Sequence, residues 1–266
     1  MIGALHAEWT KARTVPSTGW LLLLVVLAMV GLGLAVTGTL RIDECTKEPC
    51  AFDTVKLSLA GVRLAQVGAA ILGVLLVTGD YATGTITPTL AGVPRRWAVL
   101  VSKVAVGGVL VAGAAVVGVV GAMLTARAVL PGRGLTAAAG YPQTTVLHDL
   151  TQRAAVGTVL YLVLVALLGT GIGLLVRDTG AAVAVVLALL LAVPLVAMFV
   201  SDANWQARIH RYAPMDAGLA IQSTRDLATL PIGPWPGLAL LAAYALAAAM
   251  AGGIVLRLRD ATRLPS

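Results

Sequence analysis

Apolar residues dominate six long stretches of the chain, and polar residues collect in the segments between them. Within these stretches the few charged residues lie near the ends. Each stretch is long enough to cross about 30 Å of hydrocarbon as a helix that rises about 1.5 Å per residue. The pattern predicts six membrane-spanning helices, at Trp20–Leu40, Leu57–Thr78, Val99–Thr125, Ala154–Val176, Gly180–Val200 and Pro236–Leu256.

The composition indicates that lipid is the main solvent of the chain. Of its 266 residues, 59% are hydrophobic and 12% are charged, and the mean hydropathy is +0.93. A soluble domain carries about 25% charged residues, so this chain has too few to cover a water-soluble globule. We expect an all-α integral membrane bundle that forms one domain over residues 1–266, with an interfacial helix at 1–16 and the six spans within 17–260.

The net charge of +7 admits two interpretations. The positive charge could indicate nucleic-acid binding, or it could come from Lys and Arg residues that flank spans at the cytoplasmic leaflet. No basic run with interleaved aromatic residues occurs in the sequence, and such runs are the usual footprint of nucleic-acid binding. The charge therefore favours the membrane interpretation, and we expect no nucleic-acid partner.

The segment before the first span has the pattern of an amphipathic helix. Apolar residues recur at helical spacing, at Ile2, Leu5, Trp9 and Ala12, while the charged Glu8, Lys11 and Arg13 occupy other faces. This pattern predicts a helix in the membrane interface, with Trp9 as its anchor. An ordinary frayed terminus is the alternative.

The only two cysteines, Cys45 and Cys50, lie in the short sequence CTKEPC between the first two predicted spans. Basic residues are almost evenly divided between the two sides, but the segments on the side of the termini are shorter, which favours cytoplasmic termini. The cysteines then face an oxidising compartment, where a disulfide is favoured over a metal pair because no His lies nearby.

The bias toward Ala, Val, Gly, Leu and Arg suggests that the protein comes from a high-GC bacterium, so we expect it to lie in the bacterial plasma membrane.

The predicted spans contain no residues typical of ion coupling or catalysis. No Asp, Glu, Lys or His lies centrally in a span, and Arg63 and Lys103 are near span ends, where long side chains reach water. Ion-coupled carriers usually keep a charged residue at membrane depth. The sequence also lacks a G-x-S-x-G elbow and an H-E-x-x-H zinc helix. We expect neither an enzyme nor a metal site.

Two further features lie in the second half of the chain. Pro194 removes one backbone hydrogen bond from the fifth span and predicts a kink, which could serve a gate or only the shape of the helix. The segment 201–235 is long for a connection and contains Trp205, Ile209, Tyr212 and Leu219. This distribution predicts short interfacial helices in an outer loop.

The connection between the second and third spans, GDYATGTITPTLAGVPRRWAVLVSK, is rich in hydroxyls, turn residues and arginines. Such a surface suits the docking of another protein. Its succession of an acidic residue, Gly-Thr-Ile, Leu, Pro-x-Arg, Leu and Lys resembles the permease subunit of type-2 ATP-binding-cassette exporters. The matching residues are Asp80, Gly84, Thr85, Ile86, Leu90, Pro94, Arg96, Leu100 and Lys103. The stretch AEWTKAR is also similar to the amphipathic helix of that family, whereas Asp80 replaces the glutamate of many relatives.

The resemblance implies that residues 79–103 form a coupling helix seated in a cleft of a separate ATPase. The contact residues would be Asp80, Gly84, Thr85, Pro94, Arg95, Arg96 and Lys103. Arg177 and Asp178, in the sequence RDTG, would form a second contact, or else an ordinary turn between two helices. The chain has no G-x-x-x-x-G-K-[ST], so ATP and Mg²⁺ would bind the partner and this chain would hold no cofactor.

The expected function is outward transport of a hydrophobic or amphipathic substrate, such as a drug, a peptide or a lipid. The implied partners are the ATPase, a second permease copy or homologue, and membrane lipid. In that family the segment at 201–235 caps the exit path. The alternative is a non-transporting sensor or assembly subunit with the same fold.

Overall fold

The computed structural model describes residues 2–40, 53–82, 96–135, 149–197 and 199–260. Throughout these ranges the regular structure is helical, without strands. Six helices are long and apolar enough to cross a membrane, which confirms the predicted all-α bundle and makes the chain a multi-pass membrane protein. The helices before residue 135 are α1 (Ile2–Thr14), α2 (Pro16–Thr39), α3 (Thr54–Ser58), α4 (Val62–Ala82) and α5 (Arg96–Val129), with a short 3₁₀ turn at Pro131–Arg133.

The second half begins with α6, which with α4 is one of the two most buried spans of the described residues. The helices of this half are α6 (Asp149–Val176), α7 (Thr179–Leu187), α8 (Val193–Ala197), α9 (Ala203–Tyr212), α10 (Pro214–Leu219) and α11 (Pro234–Asp260). The first to fourth spans are α2, α4, α5 and α6, the fifth runs through α7 and α8, and the sixth is α11. A helix thus precedes the first span, at Ile2–Thr14, and Pro16 occupies the first turn of that span.

The second span begins later than its apolar stretch predicts. Residues Thr54–Ser58 form the separate helix α3, and the span itself begins at Val62. The side chain of Asp53 accepts a hydrogen bond from the backbone N–H of Lys56 at 3.0 Å and so caps α3. A turn at residues 59–61 separates α3 from α4, and Gly61 in this turn packs against the backbone of Ala28 and Met29 in the first span.

The fifth span changes its winding where the sequence predicts a kink. Residues Ala188–Ala192 form a π-helical turn, and α8 follows from Val193. Pro194 has no N–H for the carbonyl four residues earlier, and its ring would clash with that carbonyl in a regular α-helix. The wider π turn accommodates the ring.

The centre of the bundle is the parallel pair of α4 and α6. At Gly73 a Cβ would overlap the carbonyl oxygen of Ala166, and at Gly169 it would lie 2.5 Å from the carbonyl oxygen of Ala70. Only glycine allows the two backbones to approach this closely. The pair brings the ends of both helices together, so polar residues at those ends can meet.

The segment 201–235 folds back into one end of the bundle. Its helix α9 is largely exposed, whereas most residues of 213–224 are buried. Ile221 packs against Gly157 of α6, and Gly218 packs against the ring of Tyr161. We call residues 213–224 the re-entrant segment.

Candidate functional site

Four charged residues meet at the other end of the bundle, beside the polar connection between the second and third spans. Helix α1 supplies Glu8 and Lys11, the last turn of α4 supplies Asp80, and the first turns of α5 supply Lys103. We call these four residues the charge cluster. It joins α1 to α4 and α5, the helices that precede and follow residues 83–95 in the sequence.

The lysine of the third span lies at the centre of the charge cluster. Its Nζ is 2.9 Å from Oε1 of Glu8, contacts one carboxylate oxygen of Asp80, and donates to the carbonyl oxygen of Leu76 at 3.2 Å. Nζ of Lys11 contacts the other carboxylate oxygen of Asp80. The two acids and two lysines therefore compensate one another within one compact group.

Burial makes this compensation important. The side chains of Lys103 and Asp80 are 3% and 2% exposed, and that of Glu8 is 11% exposed. An unpaired charge at such a place costs several kcal/mol, so each ion needs its partners. Lys103 was expected to extend to water from the span end, but it is instead buried because two carboxylates and a carbonyl replace its hydration.

Lys11 is the peripheral member of the charge cluster, with 43% of its side chain exposed. Partial burial, followed by the positive charge of Lys103, lowers the pKa of Lys11 from its ordinary value, while Glu8 acts in the opposite direction. Its ammonium group carries three protons, of which one suffices for the contact with Asp80.

The turn Arg177–Gly180 lies against the same end of the bundle. Arg177 has a left-handed backbone with φ of 62°, and its guanidinium lies 5.2 Å from the ring centroid of Tyr81. Asp178 caps α7 by accepting a hydrogen bond from the N–H of Ala181 at 2.8 Å, and Thr179 donates to Thr78 at 2.9 Å. This turn is therefore fastened to the end of α4, whichever of its two predicted roles it has.

Several predicted site residues lie outside the described residues, namely Gly84, Thr85, Pro94 and Arg95 of the coupling segment and the pair Cys45 and Cys50. The backbone of Arg96 begins α5. In α1, Trp9 is 38% exposed, and Arg13 is exposed in the last turn. The structure thus brings together Glu8, Lys11, Asp80 and Lys103, which the sequence placed in two separate groups.

A second polar assembly, at the end of the re-entrant segment, was not predicted from the sequence. Asp53 accepts hydrogen bonds from the N–H and hydroxyl of Thr224, at 2.6 and 2.7 Å, and from the N–H of Arg225 at 3.2 Å. Deeper in the bundle, Tyr161 donates to Gln66. The lone Gln66 in an apolar span was the available signal, because a buried amide requires partners.

Comparison with known proteins leaves the assignment of a family open. No protein-family model matches the chain, and no curated protein matches it.

Proposed function

We propose that the chain is the membrane-spanning permease subunit of an ATP-binding-cassette exporter, located in a bacterial plasma membrane with both termini in the cytoplasm. The observation that carries the proposal is the charge cluster. It ties α1 to both ends of the polar connection in which the family resemblance lies, through Asp80 on one side and Lys103 on the other. A force applied to that connection would thus reach three helices together.

The coupling segment contains residues that are buried within this chain, Asp80 and Lys103, and residues that would contact the ATPase. The side chains of Asp80 and Lys103 are engaged within the chain and almost fully covered. In the proposed subunit they hold the ends of the segment, while Arg95 and Arg96 between them contact the ATPase. ATP and Mg²⁺ would bind that partner, because the sequence has no phosphate-binding loop of the G-x-x-x-x-G-K-[ST] type.

In the proposed cycle, closure of two ATPase subunits moves the coupling segments of two permease copies. The movement passes through the charge cluster to α1, α4 and α5, and the central pair of α4 and α6 carries it toward the re-entrant segment. An amphipathic substrate would then leave at that end. Such a substrate suits span surfaces that are apolar and carry no central charge.

The test is co-purification with an ATPase encoded beside this chain. We expect a tag on this chain to capture the ATPase in stoichiometric amount, and Arg95→Glu with Arg96→Glu to abolish capture through charge reversal. The matched control is Arg208→Glu with Arg211→Glu, which reverses two exposed arginines of α9 at the other end of the bundle.

Two results would contradict the proposal. If the chain purifies without an ATPase in mild detergent, it acts alone. If the ATPase is captured and stimulated by a ligand but vesicles show no flux of that ligand, the chain is a sensor subunit.

A further inference from the structure

A cavity of about 180 Å³ lies between α1, the first span and the second span, next to the charge cluster. Its inner wall is formed by Leu21 of the first span and by Leu72, Leu75 and Leu76 of the second. Leu72 is fully buried, and the other three are partly buried. This part of the cavity offers an apolar surface that a hydrocarbon chain would cover.

The mouth of the cavity is polar and includes an ammonium group that is partly open to solvent. It is lined by Lys11, whose side chain is 43% exposed, and by the hydroxyl residues Ser17 and Thr18. Among the described residues of the lining the carboxylate is Glu8, which is 11% exposed and paired with Lys103 at 2.9 Å. The mouth therefore presents ammonium and hydroxyl donors to a ligand, while Glu8 is paired with Lys103 and Lys11 shares its ammonium group with Asp80.

We propose that this cavity binds one acyl chain of an anionic phospholipid, with the phosphate of the headgroup at Lys11. The lipid comes from the surrounding leaflet, which is in contact with the same helices. Polar donors at the interface and leucines toward the membrane interior match the two parts of such a molecule. This inference does not depend on the proposed transport function.

The size of the cavity limits what it can hold. Pockets for drug-sized ligands have volumes of about 300–1,000 Å³, so about 180 Å³ suits a segment of a single chain and not a whole two-chain lipid. The second chain remains in the bilayer. Lys11 also contacts Asp80, so a bound phosphate would share the ammonium group of Lys11 with the charge cluster. Lipid composition would thereby affect the position of α1.

The experiment uses the purified chain in nanodiscs of phosphatidylcholine. A phosphatidylglycerol with a photoreactive acyl chain is added, cross-linked by light and mapped by mass spectrometry. We expect labelling around residues 72–79 and 17–21, competed by unlabelled phosphatidylglycerol and only weakly by added phosphatidylcholine.

Two pairs of variants make the test specific. Gly79→Leu fills the cavity, since Gly79 lines it and a Cβ there meets nothing within 4 Å. Gly113→Leu is its control, because that glycine also has open space but lies outside the cavity. Lys11→Gln should weaken labelling about fivefold, the effect of one lysine at an anionic surface, and Arg13→Gln should leave it unchanged.

Loss of labelling in Gly79→Leu and its retention in Gly113→Leu would support the site. Equal labelling of these two variants, or equal competition by the anionic and the zwitterionic lipid, would show only general contact with the bilayer and overturn the proposal. If Gly79→Leu does not fold, the headgroup competition and the comparison of Lys11→Gln with Arg13→Gln still decide it.

Discussion

Lys103 brings its ammonium group into the end of the third span, where Glu8, Asp80 and the carbonyl of Leu76 surround its N–H donors. Lys103→Met should reduce the free energy of unfolding by about 3–5 kcal/mol, because it leaves two acids beside a single lysine. Thermal unfolding in detergent measures this, with Lys56→Met as the exposed control. The double variant Lys103→Met with Asp80→Asn should regain part of the lost free energy of unfolding. If Lys103→Met alone is as stable as Lys56→Met, the buried ion pairs are contradicted.

The pKa of Lys11 should respond in opposite directions to the loss of the charge on Lys103 and on Glu8. Lys103→Gln removes a positive charge that lowers this pKa and should raise it, whereas Glu8→Gln should lower it further. NMR of ¹³C-methylated lysines follows both. In the folded chain this pKa lies below the ordinary value of 10.5, so between the two values the unfolded chain binds more protons. The penalty for holding Lys11 charged in the folded chain is therefore relieved as the pH rises. Shifts of equal sign in the two variants would exclude the proposed arrangement.

At the scale of elements, the re-entrant segment depends on one carboxylate. Asp53 binds the N–H and hydroxyl of Thr224 and the N–H of Arg225, although these residues are far apart in the sequence. Asp53→Ala should therefore accelerate amide exchange around residues 222–226, while Asp202→Ala should affect only the first turn of α9, which Asp202 caps. Unchanged exchange at 222–226 would show that packing alone holds the segment.

The same contacts explain which elements could be predicted from the sequence. The spans were predictable because a helix in lipid needs about 20 apolar residues, a requirement that each segment meets by itself. The charge cluster was not, because Glu8 and Lys103 are 95 residues apart and a lysine near a span end ordinarily extends to water. The boundary at Val62 could not be predicted because the turn at residues 59–61 has no signal in the apolar pattern, and Gly61 in that turn packs against the backbone of Ala28 and Met29.

For the whole molecule, the close contact of α4 and α6 determines whether the bundle assembles. Gly73→Leu would place a side chain where the backbone of Ala166 lies, and overpacking of this kind costs about 1–3 kcal/mol or more. We expect the variant to lose its monodisperse peak in size-exclusion chromatography, whereas Gly113→Leu should retain it. A monodisperse Gly73→Leu with unchanged thermal stability would mean that the two helices can separate without loss of the fold.

The charge cluster also has a consequence for the order of events during synthesis. Translation produces Glu8 and Lys11 first, Asp80 much later and Lys103 last, so a chain interrupted after the second span holds two acids against one lysine. The charges of α1 are fully paired only after the third span has been synthesised. Until then the carboxylates of Glu8 and Asp80 outnumber the lysines available to pair with them. The excess negative charge is neutralised when α1, α4 and α5 have met.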